Sequence, residues 1–115
     1  MEALEFSSDL KEQPVVIKGK SGTKNCVLKE MDGTNRDVYL NGMKDHMEMV
    51  DDKMTVTNYS GLHAMLLKLC LYEGDALVSE EYIQSLPAST QNELFKHAQL
   101  LNGLTDEAEV VVKKD

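Results

Sequence analysis

The sequence predicts an α+β fold: a small antiparallel N-terminal β-hairpin or sheet followed by a three- to four-helix C-terminal unit. Two observations predict it. Between Pro14 and Leu40, short β-branched runs are interrupted by turn-forming Gly and Asp. Between Asn58 and Leu104, three helical segments carry legible starts and stops. A chain of 115 residues with 42% hydrophobic and 28% charged side chains has the balance of one folded domain. The expected organisation is a flexible arm over 1–13, a single domain over 14–109 (β over 14–41, mainly helical over 42–104) and a tail over 110–115.

Taken in order, Val15-Val16-Ile17 is a strand-like run ending at Gly19, and Lys20-Ser21-Gly22 is turn-like. Two further runs, Asn25 to Met31 and Arg36 to Leu40, flank Asp32-Gly33. Asp-Gly between such runs is a hairpin signal, because both residues tolerate the positive φ of a tight turn. A three-residue loop there pairs Glu30 with Arg36, Lys29 with Asp37 and Leu28 with Val38, avoiding the like-charge pair Lys29–Arg36 of the shorter loop. Met43, Met47 and Val50 then fall at i, i+4 and i+7, the spacing of one helical face. Asp51-Asp52-Lys53 breaks that helix, and Met54 to Thr57 is expected to be extended rather than paired.

The first strong helix is expected from about Ser60 to Tyr72. Its apolar residues surround it on nearly every side, with only His63 and Lys68 interrupting, so it is central or partly covered by another subunit. Ser79 is the N-cap of the next helix, Glu80 and Glu81 complement its dipole, and Val78 with Ile83 forms a hydrophobic staple. Pro87 ends it, because a proline pushes the preceding residue out of the helical region. The last helix carries a capping box at Thr90-x-x-Glu93, an apolar stripe of Leu94, Phe95, Ala98 and Leu101, and a stop at Asn102-Gly103-Leu104. Val110-Val111-Val112 is β-prone.

Charge restricts the function classes. The net charge of −8 disfavours nucleic acid and anionic membrane, both of which need a basic face. Residues 1–60 carry 8 basic and 11 acidic groups, net −3, and residues 61–115 carry 4 and 9, net −5. No apolar run approaches membrane-span length, and the acidic start lacks the basic region of a signal peptide. Cys26 and Cys70 are isolated and read as reduced core thiols, so the expected location is the cytoplasm.

No constellation carries recognisable chemistry. Gly19-Lys20-Ser21 matches the end of a phosphate-binding loop, but Pro14 stands where that loop needs its first glycine, so a plain β-turn is the reading. His46 lies beside Asp45 and Glu48 on what reads as a solvated acidic helix. His63 and His97 stand alone on helices, without a nucleophile or an orienting group. No catalytic residue, metal site or cofactor is expected. Met43, Met47, Met49 and Met54 cluster within twelve positions, either as adaptable contact surface or as filler of an irregular core.

The helical half has a further property. An apolar helix ending Leu-Cys-Leu-Tyr, an acidic-Gly turn, Leu-Val-Ser-Glu-Glu, Ile-x-x-Leu-Pro and a helix ending Ala-Gln-x-Leu-Asn-Gly-Leu together resemble the tail assembly chaperones of long-tailed bacteriophages and prophages. The resemblance covers about residues 57–107 and, more loosely, Val27 to Leu40. It implies a non-enzymatic role in virion morphogenesis: binding the long helical tape measure protein, keeping it soluble, and helping to recruit the tail tube protein. In many phages such a chaperone also has a frameshifted longer form, and this chain would correspond to the short one.

Two function classes follow. The first is this chaperone, with Met43, Met47, Leu62, Met65, Leu66 and Leu69 as the expected partner contacts and with homo-oligomers formed through the same surplus of apolar helix surface. The alternative is a small acidic regulatory adaptor, antitoxin-like or anti-repressor, masking a basic partner. Neighbouring genes separate them: a tube protein and a very long helical reading frame for the first, a toxin or repressor for the second.

Overall fold

The computed structural model describes residues 2–59 and 61–104. It is α+β: a four-stranded antiparallel sheet with helices packed on one face, and a separate two-stranded hairpin. The main sheet has the order β1-β2-β5-β6, with β1 at Glu12–Gly19, β2 at Gly22–Lys29, β5 at Leu71–Glu73 and β6 at Ala76–Leu77. The second sheet pairs β3, Met47–Val50, with β4, Lys53–Val56. The helices are α1, Gly33–Met43; α2, Leu62–Cys70; α3, Glu80–Ser85; and α4, Ala88–Leu101.

The first hairpin turns at Lys20-Ser21, with Gly19 opposite Gly22, so the phosphate-loop fragment is a tight β-turn. Its register pairs Lys29 with Glu12 and Leu28 with Gln13. That places Val15, Ile17, Cys26 and Leu28 on the helix side, where Cys26 and Leu28 are buried. The hairpin expected around Asp32-Gly33 is not formed, and Arg36 to Leu40 is helix. Asp32 caps α1 instead: its Oδ1 accepts from the Asn35 amide at 2.9 Å and its carbonyl from the Arg36 amide at 2.9 Å. The carboxylate that suits a tight turn also satisfies a free helix amide, and the β1 partner had already taken β2.

Met43, Met47 and Val50 do not share a helix. Met43 ends α1, and a short 3-10 turn over Lys44–His46 leads into β3. Met54 to Val56 is a paired strand, not merely extended, with Met49 opposite Met54. Asp51 and Asp52 both adopt positive φ, 51° and 65°, the turn conformation Asp tolerates best after Gly and Asn.

The helical unit follows the sequence more closely. Val78 and Ile83 are buried, and Ser79 Oγ accepts from the Tyr82 amide at 3.2 Å. α3 stops before Pro87. Tyr72, expected in the first helix, belongs to β5, and Ser60 lies outside the described residues. The Thr90–Glu93 capping box is absent: the cap lies three residues earlier, at Pro87, and α4 begins at Ala88. There Gln91 Nε2 donates to the Leu86 carbonyl at 2.9 Å and covers the end of α3. α4 ends as expected. Gly103 has φ +67°, its amide donates to the Leu100 carbonyl at 3.2 Å, and the Leu104 amide to the Gln99 carbonyl at 2.9 Å. The β-prone Val110–Val112 tail lies outside the described residues.

α2 is the core helix. Leu62, Ala64, Leu66, Leu67 and Cys70 are buried, enclosed by α1, α3, α4 and the sheet. The expected surplus of uncovered apolar surface on this helix is therefore not there. α1 crosses it closely at Gly42, where an added Cβ would lie 2.8 Å from Met65 Sδ. Asn102 joins the ends of the fold. Its Oδ1 accepts from the Met31 amide at 2.7 Å, and its Nδ2 donates to the Ala98 carbonyl at 2.8 Å and lies 3.5 Å from Cys70 Sγ. Its carbonyl accepts from Arg36 Nη1 at 3.0 Å.

Two substitutions test this core. Leu66→Ala is expected to lower stability by roughly 2–5 kcal/mol and the half-buried Leu69→Ala by clearly less, measured by urea unfolding. Asn102→Ala orphans a buried backbone amide and is expected to cost roughly 2–3 kcal/mol. Unfolding midpoints equal to the parent's in both Leu66→Ala and Asn102→Ala contradict the packing described.

Candidate functional site

The β3–β4 hairpin is the strongest candidate for a contact surface. Its register puts Met47, Met49, Met54 and Val56 on one face, because Met47 pairs with Val56 and Met49 with Met54. Val56 is buried and Met47 half-buried at the base, while Met49 and Met54 are 64% and 46% exposed toward the tip. Four thioether and aliphatic side chains thus form a stripe running from the core into solvent. Glu48, Asp51 and Asp52, against Lys53, give its flank and tip a net negative charge. An adaptable apolar stripe bordered by acids suits an apolar surface flanked by Lys and Arg.

The base of this hairpin is clamped by His46. Its Nδ1 lies 2.8 Å from the Asn58 carbonyl, and its own carbonyl accepts from the amides of Thr57 at 2.9 Å and Asn58 at 3.2 Å. His46 is thus not on a solvated helix. It closes the loop that carries the methionines.

The other residues expected to contact a partner are placed differently. Leu62 and Leu66 are buried in the core, so an incoming surface does not reach them. Met65 and Leu69 are half-buried on α2, and Met43 packs against the core from the end of α1. The structure brings Met47 together with Met49 and Met54, two methionines the sequence reading noted but did not select.

A second concavity, of about 630 Å³, runs between β1 and α4. Ser89, Glu93 and His97 line it at four-residue intervals, one helix face. Eight residues of helix separate Ser89 from His97 by about 12 Å, too far for a nucleophile and its base. No group of three or more His, Cys, Asp or Glu able to hold a metal occurs among the described residues. No helix among them is long and apolar enough to cross a membrane.

The titratable groups of the interior are structural. Burial pushes the Cys70 thiol up to about 11, opposed only in part by the Asn102 amide, and burial also raises Cys26. Burial raises the Tyr39 hydroxyl to about 12. His63 stacks on Phe95 with ring centroids 4.5 Å apart, and burial lowers its pKa. Lys24, paired with Glu73 at 3.0 Å, links β2 to β5.

No protein-family model, no curated protein and no solved structure matches this chain significantly.

The His63 environment gives a pH prediction. Its folded pKa lies below the ordinary histidine value of 6.5, because burial disfavours the charged ring, so the unfolded chain binds the proton more readily. Stability from this group is present above pH 6.5 and is lost as pH falls through that value toward the folded pKa. Unfolding midpoints measured from pH 8 to pH 5 are expected to fall, and His63→Gln to flatten that part of the profile. An identical pH profile in the variant contradicts the assignment. The thiols supply a second check: both cysteines are expected to resist a thiol reagent at pH 8 in the folded protein and to react on unfolding.

Proposed function

We propose that this chain is a non-enzymatic binding protein of virion morphogenesis, a tail assembly chaperone that keeps an apolar-striped helical partner, the tape measure protein, soluble during tail assembly. The observation that carries the reading is the uncovered methionine face of the β3–β4 hairpin with its acidic border. Exposed thioethers adapt to successive apolar patches along a long partner, and the acids select against an equally acidic copy of this chain. The segment that carries the family resemblance supports the reading as well. Within the described residues it folds as one unit, α2, β5–β6, α3 and α4, and its motifs mark real helix ends at Ser79, Pro87 and Gly103. Recruitment of the tail tube protein is part of the same proposal, and cytoplasmic location follows from it.

Co-expression with a tape measure protein of a long-tailed phage, supplied by a neighbouring long helical reading frame where one is encoded, is the test. That protein is expected to remain in the soluble fraction only when this chain is present. Met49→Gln combined with Met54→Gln, which removes both thioethers without opposing two like charges across the hairpin, is expected to abolish the effect while leaving the unfolding free energy within about 0.5 kcal/mol of the parent, as exposed positions allow. Equal solubility of the tape measure protein alone removes the proposal. These positions make cleaner tests than Met43 or Met47, where a polar substitution would also disturb packing.

A further inference from the structure

The main sheet has helices on one face. Its other face, carrying Glu12, Pro14, Val16, Lys18, Val27, Lys29, Tyr72 and Leu77, has none. The registers place Pro14 opposite Val27, Val27 opposite Tyr72, and Tyr72 opposite Leu77. Four apolar side chains therefore form one row straight across all four strands, with Val16 beside it. Val16 is 55% and Leu77 44% exposed. Charged side chains on this face are Lys18 and Lys29 against Glu12, a positive balance in a chain of net charge −8, and Lys29 Nζ stands 4.6 Å over the Tyr72 ring.

The same chain carries a segment with the opposite properties. Residues 2–11 form no helix or strand, and Leu4 and Phe6 are 84% and 86% exposed. Residues 2–10 hold three acids, Glu2, Glu5 and Asp9, and no base. The arm is thus acidic and apolar, while the sheet's outer row is apolar, with Lys29 opposite Glu12 on one side of it and Lys18 beyond Val16 on the other. Lys11 donates its amide to Glu30 Oε1 at 3.0 Å, and its carbonyl accepts from the Glu30 amide at 2.8 Å. Both backbone groups of Lys11 are thereby tied to Glu30, just past β2. The arm then bends at Asp9, whose amide donates to Ser7 Oγ at 3.0 Å. Leu4 and Phe6 stand exposed beyond this bend and do not rest on the outer face of their own sheet, whereas a second copy offers them that face.

We infer that the N-terminal arm of one copy lies across the outer sheet face of a second copy, in a reciprocal exchange that seats Leu4 and Phe6 on the Val27–Tyr72–Leu77 row. The exchange is isologous, so each copy gives one arm and receives one. It uses a different surface from the methionine hairpin and does not depend on the proposed chaperone role.

Disulfide trapping in the full chain tests it. Phe6→Cys with Leu77→Cys, oxidised and run without reductant, is expected to yield a covalent dimer. Phe6→Cys with Asn92→Cys, an exposed position on the helical side, is expected to yield little. An intrachain disulfide means that the arm covers its own sheet, and equal dimer yields mean random collision; either overturns the inference. Sedimentation of proteins without added cysteines gives an independent readout. The parent is expected to dimerise, and Phe6→Ser to weaken the dimer roughly tenfold or more, as loss of an aromatic anchor does. A parent that stays monomeric across the concentration range overturns the inference.

Discussion

The side-chain amide of Asn102 is the contact on which the other elements depend. It lies at the end of α4 and is almost fully buried, so each of its polar atoms needs a partner inside the protein. Those partners come from the chain just after β2, from α4 itself and from the last residue of α2. The backbone carbonyl of the same residue receives Arg36 from the first turns of α1. One residue therefore fixes where the sheet ends, where α1 starts and how α4 meets α2. A leucine of similar volume would supply none of these bonds, and an aspartate would lack the donor that the Ala98 carbonyl receives. With the start of α1 pinned, its far end is brought over α2. The approach at Gly42 is then close enough that Met65 occupies the space a side chain would need.

How much of this was legible follows from how local each signal is. Ser79, Pro87 and Gly103 mark helix ends through bonds or sterics within a few residues, and each stands where the sequence placed it. Asp32-Gly33 was equally local and misread, because one carboxylate serves a turn or a helix cap. What decided it was distant: β2 pairs with β1, and Arg36 is drawn to Asn102. The i, i+4, i+7 spacing of Met43, Met47 and Val50 was coincidental. The alternation of Met47 with Met49 and of Met54 with Val56 around two aspartates was the informative pattern. The methionine cluster was thus visible and its geometry was not. The Pro14–Val27–Tyr72–Leu77 row carried no sequence signal, since only the registers of three strand pairs align residues so far apart.

The apolar richness of α2 bears on how contact surfaces and core are divided. A helix apolar on nearly every side invites a partner, yet here α1, α3, α4 and the sheet enclose it, and its leucines hold the domain together. The surfaces left for association lie on parts that add little to that core: the outer sheet face, the arm and the hairpin. A two-stranded hairpin alone is marginal in water. This one is held at its base by buried Val56 and the His46 clamp, so its tip can carry Met49 and Met54 in the open. Contacts made there bury surface without prising apart the helices, and their cost falls on local ordering rather than on refolding. The acids around the tip complete the division. They repel a second copy of the chain from the methionine stripe, while the lysines of the sheet face attract the acidic arm, so the two surfaces select different partners by charge.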